Sequence, residues 1–229
     1  MRLDKFIGAV TQLSRREVQQ QIKSGAVYVN DQLARSGAQT ISESDRISFN
    51  GQRLEPLRPR YLMLHKPAGY VCANSDSQHP TVLDLIDEPR KHQLQIVGRL
   101  DVDTTGLVLI TDDGQWNHRL TSPRRQCTKV YRLSTAEPLH EELIGVFARG
   151  LLLQGEKKLT LPARLEILGS QEARLSIQEG KYHQVKRMFA AVGNRVTRLH
   201  REAVGEIQLD PQLAPGTYRH LTEQEIHHG

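Results

Sequence analysis

A polar loop that runs directly into an apolar strand limits the possible folds more than any other feature of this sequence. Residues 98–106 are rich in Gly, Asp and Thr, and residues 107–110 are uninterruptedly aliphatic. A short apolar run of this kind is typical of a strand that is buried on both faces. Loops held by such a rigid element are common positions for catalytic groups. The sequence therefore predicts a candidate site around Asp101 and Asp103.

Three interpretations of this loop are open from the residues alone. In one, five residues fall at positions 1, 3, 5, 6 and 12 of a calcium loop, although position 12 lacks the usual Glu and an apolar run follows: Asp101, Asp103, Thr105, Gly106 and Asp112. In another, Asp101 and Asp103 share one face of an extended segment and act as a carboxylate pair on a sugar. In the third, these side chains only cap a turn.

Residues 1–57 predict a small separate unit. A first helix has apolar residues at helical spacing, and a second begins at a capping box formed by Ser14 and Glu17. Gly25 stands where a glycine ends a helix. Strands are predicted at residues 26–29 and 45–49, with turns at Asn30-Asp31 and Asn50-Gly51.

The basic residues of the chain are concentrated in this first segment. Residues 1–60 hold ten Lys or Arg against six Asp or Glu, and the whole chain has a net charge of +5. Arg15 and Arg16 lie in the first turn of the second predicted helix, where the dipole disfavours each cation by roughly 0.3–1 kcal/mol. An RNA phosphate would offset that cost, and screening by solvent would also make it tolerable. The charge pattern favours a polyanionic partner.

The rest of the chain predicts a second, larger α+β unit. Residues 58–60 form a linker in a proline-containing stretch, and residues 61–229 mix strands and helices without regular βαβ spacing. We expect a largely antiparallel mixed sheet flanked by helices. Strands are predicted at 61–64, 107–110 and 130–135, a hairpin around 169–170, and helices at 138–149, at 185–192 and after Thr222.

Composition excludes several classes of protein. Cys72 and Cys127 have neither a disulfide framework nor metal-ligand spacing. No apolar run approaches the roughly 18 residues of a membrane span, and the N-terminus lacks the apolar stretch of a signal peptide. We expect a cytoplasmic, monomeric protein without a membrane association.

Four ordered motifs resemble those of pseudouridine synthases that modify small-subunit (16S) ribosomal RNA. Gly98-Arg99-Leu100-Asp101 with Thr104-Thr105-Gly106-Leu107 resembles the family signature. The other three motifs are His65-Lys66-Pro67-Ala68-Gly69-Tyr70, Lys129-Val130-Tyr131 and Glu179-Gly180-Lys181-Tyr182-His183-Gln184-Val185-Lys186-Arg187. The first of these more often has Asn where this chain has His65. The first segment is similar to an S4-type RNA-binding domain through Arg2-Leu3-Asp4-Lys5-Phe6, Ser14-Arg15-Arg16-Glu17 and residues 22–30.

The resemblance implies a catalytic role for three residues. Asp101 is the nucleophile, Lys186 is the cation that keeps this carboxylate ionised, and Tyr131 stacks on the uracil or moves a proton. Many relatives have Arg where this chain has Lys186. Helical spacing separates Lys186 from Arg187 by about 100°, so only one of them should face the site. The product is an isomer of the substrate, so the reaction needs neither a cofactor nor a metal.

The resemblance also implies a set of RNA contacts. Arg99 is expected to occupy the space that the flipped uridine leaves, or to pair with a phosphate. The remaining expected RNA-binding residues are cations that reach phosphates: Arg2, Lys5, Arg15, Arg16, Lys23, Lys181 and Arg187.

Two other functions compete with the synthase. A non-catalytic RNA-binding or ribosome-assembly protein would need the S4-like segment but not Asp101, Tyr131 and Lys186. A glycoside-processing enzyme would need a second essential carboxylate such as Asp103.

Overall fold

The computed structural model describes residues 1–228, which form two compact units, Met1–Arg58 and the chain from Pro59 onward. The domain prediction of residues 1–57, 58–60 and 61–229 stays a prediction, and each unit is described by itself. Among the described residues, no helix has the length and apolar character needed to cross a membrane.

The first unit packs two helices on a small sheet. Helices α1 (Leu3–Thr11) and α2 (Arg15–Lys23) precede four strands in the order β2-β1-β3-β4. The strands are β1 (Val27–Val29), β2 (Gln32–Leu33), β3 (Ile47–Phe49) and β4 (Gln52–Leu54). Each helix presents an apolar face to one core. Helical spacing of apolar residues predicted the first helix, and the capping box predicted the second.

Local rules predicted the boundaries of this unit well. The capping box of Ser14 and Glu17 is present and begins α2. Asn30 and Asp31 both have positive φ, at 50° and 65°, which fits the tight turn between β1 and β2. Asn50 and Gly51 form a second such turn. The two strands β2 and β4 are additions that their short, polar sequences did not predict.

The second unit is built on a nine-stranded sheet whose main path is β13-β5-β7-β11-β8-β10-β9. Along this path only β7 and β11 are parallel, so the expected largely antiparallel α+β architecture is confirmed. The strands are β5 (Tyr61–Lys66), β6 (Gln95–Val97), β7 (Thr105–Thr111), β8 (Lys129–Thr135), β9 (Arg164–Gly169), β10 (Glu172–Ile177), β11 (Val196–Val204), β12 (Ile207–Gln208) and β13 (Tyr218–His220). The helices are α3 (Gly114–Thr121), α4 (Glu142–Arg149), α5 (Gln184–Ala191) and α6 (Glu223–His227).

The parallel pair depends on a glycine beside the candidate loop. Gly106 lies opposite Arg201 and has a φ of 107°. A Cβ at this position would lie 2.3 Å from the carbonyl oxygen of Arg201. Only glycine fits here, because neither the φ nor the close approach of the backbones leaves room for a side chain.

One helix is shorter than the sequence predicted. The helix expected over residues 138–149 begins only at Glu142. Leu139 instead donates its backbone N–H to Ser170 of the β9–β10 turn, at 2.6 Å. The N–H groups in the first turn of a helix have no partner within that helix, so this tertiary hydrogen bond gives Leu139 an acceptor that a helix begun at Pro138 would not supply.

Candidate active site

The loop that carries Asp101 connects β6 to β7 and is held by two buried cations. Lys66 is fully buried, and its Nζ donates to the carbonyl oxygens of Thr104 at 2.7 Å, Pro67 at 3.0 Å and Val102 at 3.2 Å. Arg201, 2 % exposed, donates to Gly98 at 3.1 Å and to Leu107 at 2.8 Å. These bonds fix the backbone on both sides of Asp101.

Two cationic or polar side chains reach the carboxylate of Asp101. Nζ of Lys186 lies 3.2 Å from Oδ2, and Nε2 of His183 lies 3.4 Å from Oδ1. Lys186 is on α5, and His183 immediately precedes that helix with a φ of 47°. Each carboxylate oxygen therefore has its own partner, while about a quarter of the side chain remains accessible.

Lys186 also bridges to Asp103, with Nζ 2.7 Å from Oδ1. Burial disfavours the ammonium, but the hydrogen bonds to Asp103 and Asp101 outweigh this effect and raise the pKa of Lys186. Burial acts against the carboxylate of Asp103 as well, yet Lys186 lowers the pKa of Asp103. Lys186 thus stays charged between two acids.

The calcium interpretation is wrong on geometry. Thr105 and Gly106 belong to β7, whose extended backbone carries Asp112 to its far end, roughly 3.3 Å further with each residue. There Asp112 accepts hydrogen bonds from Arg60. Asp101 and Asp112 therefore cannot coordinate one ion.

Tyr131 lies on β8 beside the same cavity as Asp101. Its side chain is largely buried, and its backbone pairs with Arg201 of β11 and Leu175 of β10. The cavity has a volume of about 720 Å³, which suits a ligand of nucleotide size. Asp101 and Tyr131 share its wall with four cations, Arg99, Lys129, Lys181 and Arg201.

In the second unit, two of the predicted RNA-binding cations pair with one carboxylate. Lys181 lies 2.9 Å from Glu156, and Arg187 lies 3.4 Å from the other oxygen of that carboxylate. Arg187 also donates to the carbonyl oxygen of Gln154 at 2.6 Å. Lys186 and not Arg187 faces Asp101, as the helical spacing required. Arg99, in contrast, is exposed at the cavity.

In the first unit, the predicted cations surround a buried carboxylate. Asp4 is 4 % exposed, with Arg2 at 2.6 Å and Arg15 at 3.6 Å. The hydrogen bond from Arg2 lowers the pKa of Asp4 to about 2. Three further predicted cations are exposed on the same two helices or their ends: Lys5, Arg16 and Lys23.

His183 is the contact of Asp101 that the sequence did not single out. It lies within the motif that ends at Arg187, but no residue spacing indicates a left-handed backbone at this position. That conformation orients the imidazole toward Asp101, whereas a helical one would have continued α5 by a residue. The buried supports Lys66 and Arg201 were missed for a different reason, because their hydrogen bonds join residues far apart in the chain.

Comparisons with known proteins give matches over both segments of the chain. The model of the family described as RNA pseudouridylate synthase matches residues 60–191, and the S4 domain model matches residues 1–47. The ribosomal small subunit pseudouridine synthase A of Vibrio cholerae is 51% identical over 99% of this chain and 98% of its own length. The protein of the same name from Escherichia coli K12 is 50% identical with the same coverage. A crystal structure of a pseudouridylate synthase superposes with a TM-score of 0.73 at 48% identity, covering 100% of this chain and 99% of that one.

Proposed function

The chain belongs to the RNA pseudouridylate synthase family, and from that premise we propose that it converts a uridine of small-subunit (16S) ribosomal RNA to pseudouridine. The carrying observation is the position of Asp101, held between Lys186 and His183 on the wall of a nucleotide-sized cavity. The ribosomal substrate is proposed from the names of the relatives.

Asp101 is the proposed nucleophile. The N1–C1′ bond of the uridine breaks, the uracil turns, and a C5–C1′ bond forms. N1 gains a proton and C5 loses one, so substrate and product have the same composition. An ionised carboxylate is required next to C1′ or to the base, and Lys186 pairs with Asp101 at 3.2 Å.

Tyr131 and Arg99 are proposed to bind the flipped uridine and the RNA around it. A uridine must leave its stack to reach Asp101, which costs a few kcal/mol. Tyr131 lines the cavity, where its ring would stack on the uracil, and Arg99 is an exposed lining residue that would contact the RNA. Lys181 and Arg187 are then RNA contacts only where a phosphate displaces Glu156.

The S4-like unit is proposed to add affinity without adding chemistry. Its cations Arg2, Lys5, Arg15, Arg16 and Lys23 would contact phosphates. Replacing Arg16 and Lys23 by Gln should weaken binding of all RNA sequences alike and reduce the salt dependence of log K by about one unit for each lost contact. We expect the protein to bind and modify RNA as a monomer in the cytoplasm. Sedimentation of the RNA complex measures the number of protein chains bound to each RNA.

The decisive experiment measures tritium release from RNA labelled at C5 of uracil. The native protein should release label from bare or protein-bound small-subunit RNA, and Asp101→Asn should release none while it still binds RNA. Asp103→Asn is the matched control, since it removes the other carboxylate that pairs with Lys186. Its rate of tritium release should fall by less than about tenfold. A loss with Asp103→Asn as large as with Asp101→Asn would favour a two-carboxylate mechanism. No release by the native protein, with tight binding retained, would leave a binding protein.

A further inference from the structure

Tyr182 is an aromatic residue at the rim of the cavity with one face of its ring free. Its side chain is 72% exposed, the highest value among the exposed large hydrophobic residues of the described chain. Single exposed apolar side chains are common and need no explanation by themselves. The surroundings of Tyr182 are what distinguish it.

The other face of the ring is stacked on His183. The two ring centroids are 3.8 Å apart and the planes are inclined by 19°. The edge of the same imidazole reaches Asp101, with Nε2 3.4 Å from Oδ1. Contacts therefore link the exposed ring of Tyr182, through His183, to the proposed nucleophile.

The loop that presents this ring is fixed before any RNA arrives. Arg187 donates to the carbonyl oxygen of Tyr182 at 3.1 Å, and the backbone N–H of Lys181 donates to Gln184 at 2.8 Å. Glu156 in turn pairs with both Lys181 and Arg187. An exposed ring on a rigid loop loses little conformational entropy when a partner stacks on it.

We propose that the free face of Tyr182 stacks on an unpaired base of the RNA, next to the uridine that is modified. This inference rests on the proposed function and adds a position that recognises the flanking nucleotide. A nucleobase is favoured as the partner because the ring shares the cavity wall with the exposed cation Arg99, which would attract the phosphate backbone of an RNA strand.

The stacked base is the neighbour and not the target. The uridine that reacts must lie against Asp101, whereas the ring of Tyr182 is linked to that carboxylate through the imidazole of His183. Opening the RNA around the target leaves its neighbour without a stacking partner. Stacking on Tyr182 restores part of the lost base-stacking free energy and holds the RNA strand while the uridine is in the cavity.

The first test compares the native protein with four variants in steady-state tritium release, on both bare and protein-bound small-subunit RNA. Tyr182→Ala and Tyr182→Leu should lower kcat/KM by about 10- to 100-fold, the range for loss of one base–aromatic stack. Tyr182→Phe keeps the aromatic face and should stay within about twofold of the native protein. Leu168→Ala, an exposed apolar residue on the edge strand β9, is the control for a general surface effect. Urea midpoints equal to the native value show that the variants are folded.

The second test identifies the RNA partner. After the modified uridine has been mapped, an abasic site is placed on each side of it in turn. One abasic RNA should lower the rate of the native protein by the same factor as Tyr182→Ala, and should lower the rate of Tyr182→Ala no further.

The outcomes separate this inference from the proposed function. Failure of the native protein to release label refutes the function itself. Release by Tyr182→Ala at the native rate refutes the stacking role while the function stands. Additive losses from the variant and from both abasic sites also refute it, and a loss seen only with the protein-bound subunit would assign Tyr182 to a protein contact instead.

Discussion

The buried lysine beneath the candidate loop allows a prediction that couples stability to catalysis. Lys66 has no exposed surface, and its three carbonyl partners include Thr104 and Val102, the residues that follow Asp101. Burial lowers the pKa of Lys66, although Cys72, Asp103 and Asp101 oppose that shift. We predict that Lys66→Met both destabilises the fold and displaces the nucleophile.

The magnitude follows from the hydrogen bonds that are lost. Methionine fills much of the space of the lysine chain, so little cavity results. The carbonyl of Val102 keeps the backbone N–H of Gly69, at 2.8 Å. The carbonyls of Thr104 and Pro67 lose the ammonium, and each unsatisfied buried group costs about 1–3 kcal/mol. Since the ammonium no longer has to be desolvated, we expect a net loss of about 2–4 kcal/mol.

The effect on the rate should be larger than stability alone explains. A displacement of the nucleophile by about 1 Å costs on the order of 100-fold. We expect urea unfolding to show the lower stability and tritium release at a temperature where the variant is fully folded to show the slower reaction. Lys157→Met, an exposed lysine of the same unit, should change neither. A Lys66→Met protein with native stability and a native rate would refute the assigned role of these three bonds.

Three further predictions follow from single contacts. Gly106→Ala should lower the free energy of unfolding by about 2–5 kcal/mol, because its Cβ meets the backbone of Arg201 at a positive φ. Gly114→Ala, with open space at the start of α3, should raise that free energy by about 0.4–1 kcal/mol. Urea unfolding measures both variants, and equal effects would contradict the steric argument. The hydrogen bond from Arg219 lowers the pKa of Glu225 to about 2. This acid should therefore add up to about 3 kcal/mol to the free energy of unfolding above pH 4.5, and the contribution should be lost as the pH falls toward 2. An acid-unfolding curve that Glu225→Gln leaves unchanged would contradict this prediction. Lys186→Met should lower tritium release by about 100-fold or more and Lys186→Arg by less than tenfold, and an inactive Lys186→Arg that is folded would show that charge alone does not suffice.

Much of the fold could be predicted because local signals and tertiary contacts agree. The capping box at Ser14, the apolar run after Gly106 and the hairpin around Gly169 each indicate one structure, and the chain adopts it. The exception at Pro138 shows where prediction fails. A hydrogen bond from Leu139 to a turn 31 residues away cannot be read from a local pattern.

The candidate site was predictable in part for a similar reason. The motifs identified Asp101, Tyr131 and Lys186, which the fold brings to one cavity or into direct contact. His183 was missed because its left-handed backbone, and not its position in the motif, directs it to Asp101. The partnership of Lys181 and Arg187 with Glu156 was missed because the acid lies about 25 to 31 residues earlier in the chain.

The choice of charged side chains to support the loop has an electrostatic consequence. A neutral donor could have satisfied the carbonyls of Val102 and Thr104, and it would have required less desolvation than Lys66 does. The attraction between Lys66 and the carboxylates of Asp101 and Asp103 is mutual, and the low dielectric of the buried loop strengthens it. Lys66 therefore adds positive charge near the nucleophile without occupying either of its oxygens, which Lys186 and His183 contact directly. Replacing Lys66 removes a support of the backbone and a charge together, so comparing Lys66→Met with Lys66→Gln, which keeps a donor but not the charge, separates the two contributions.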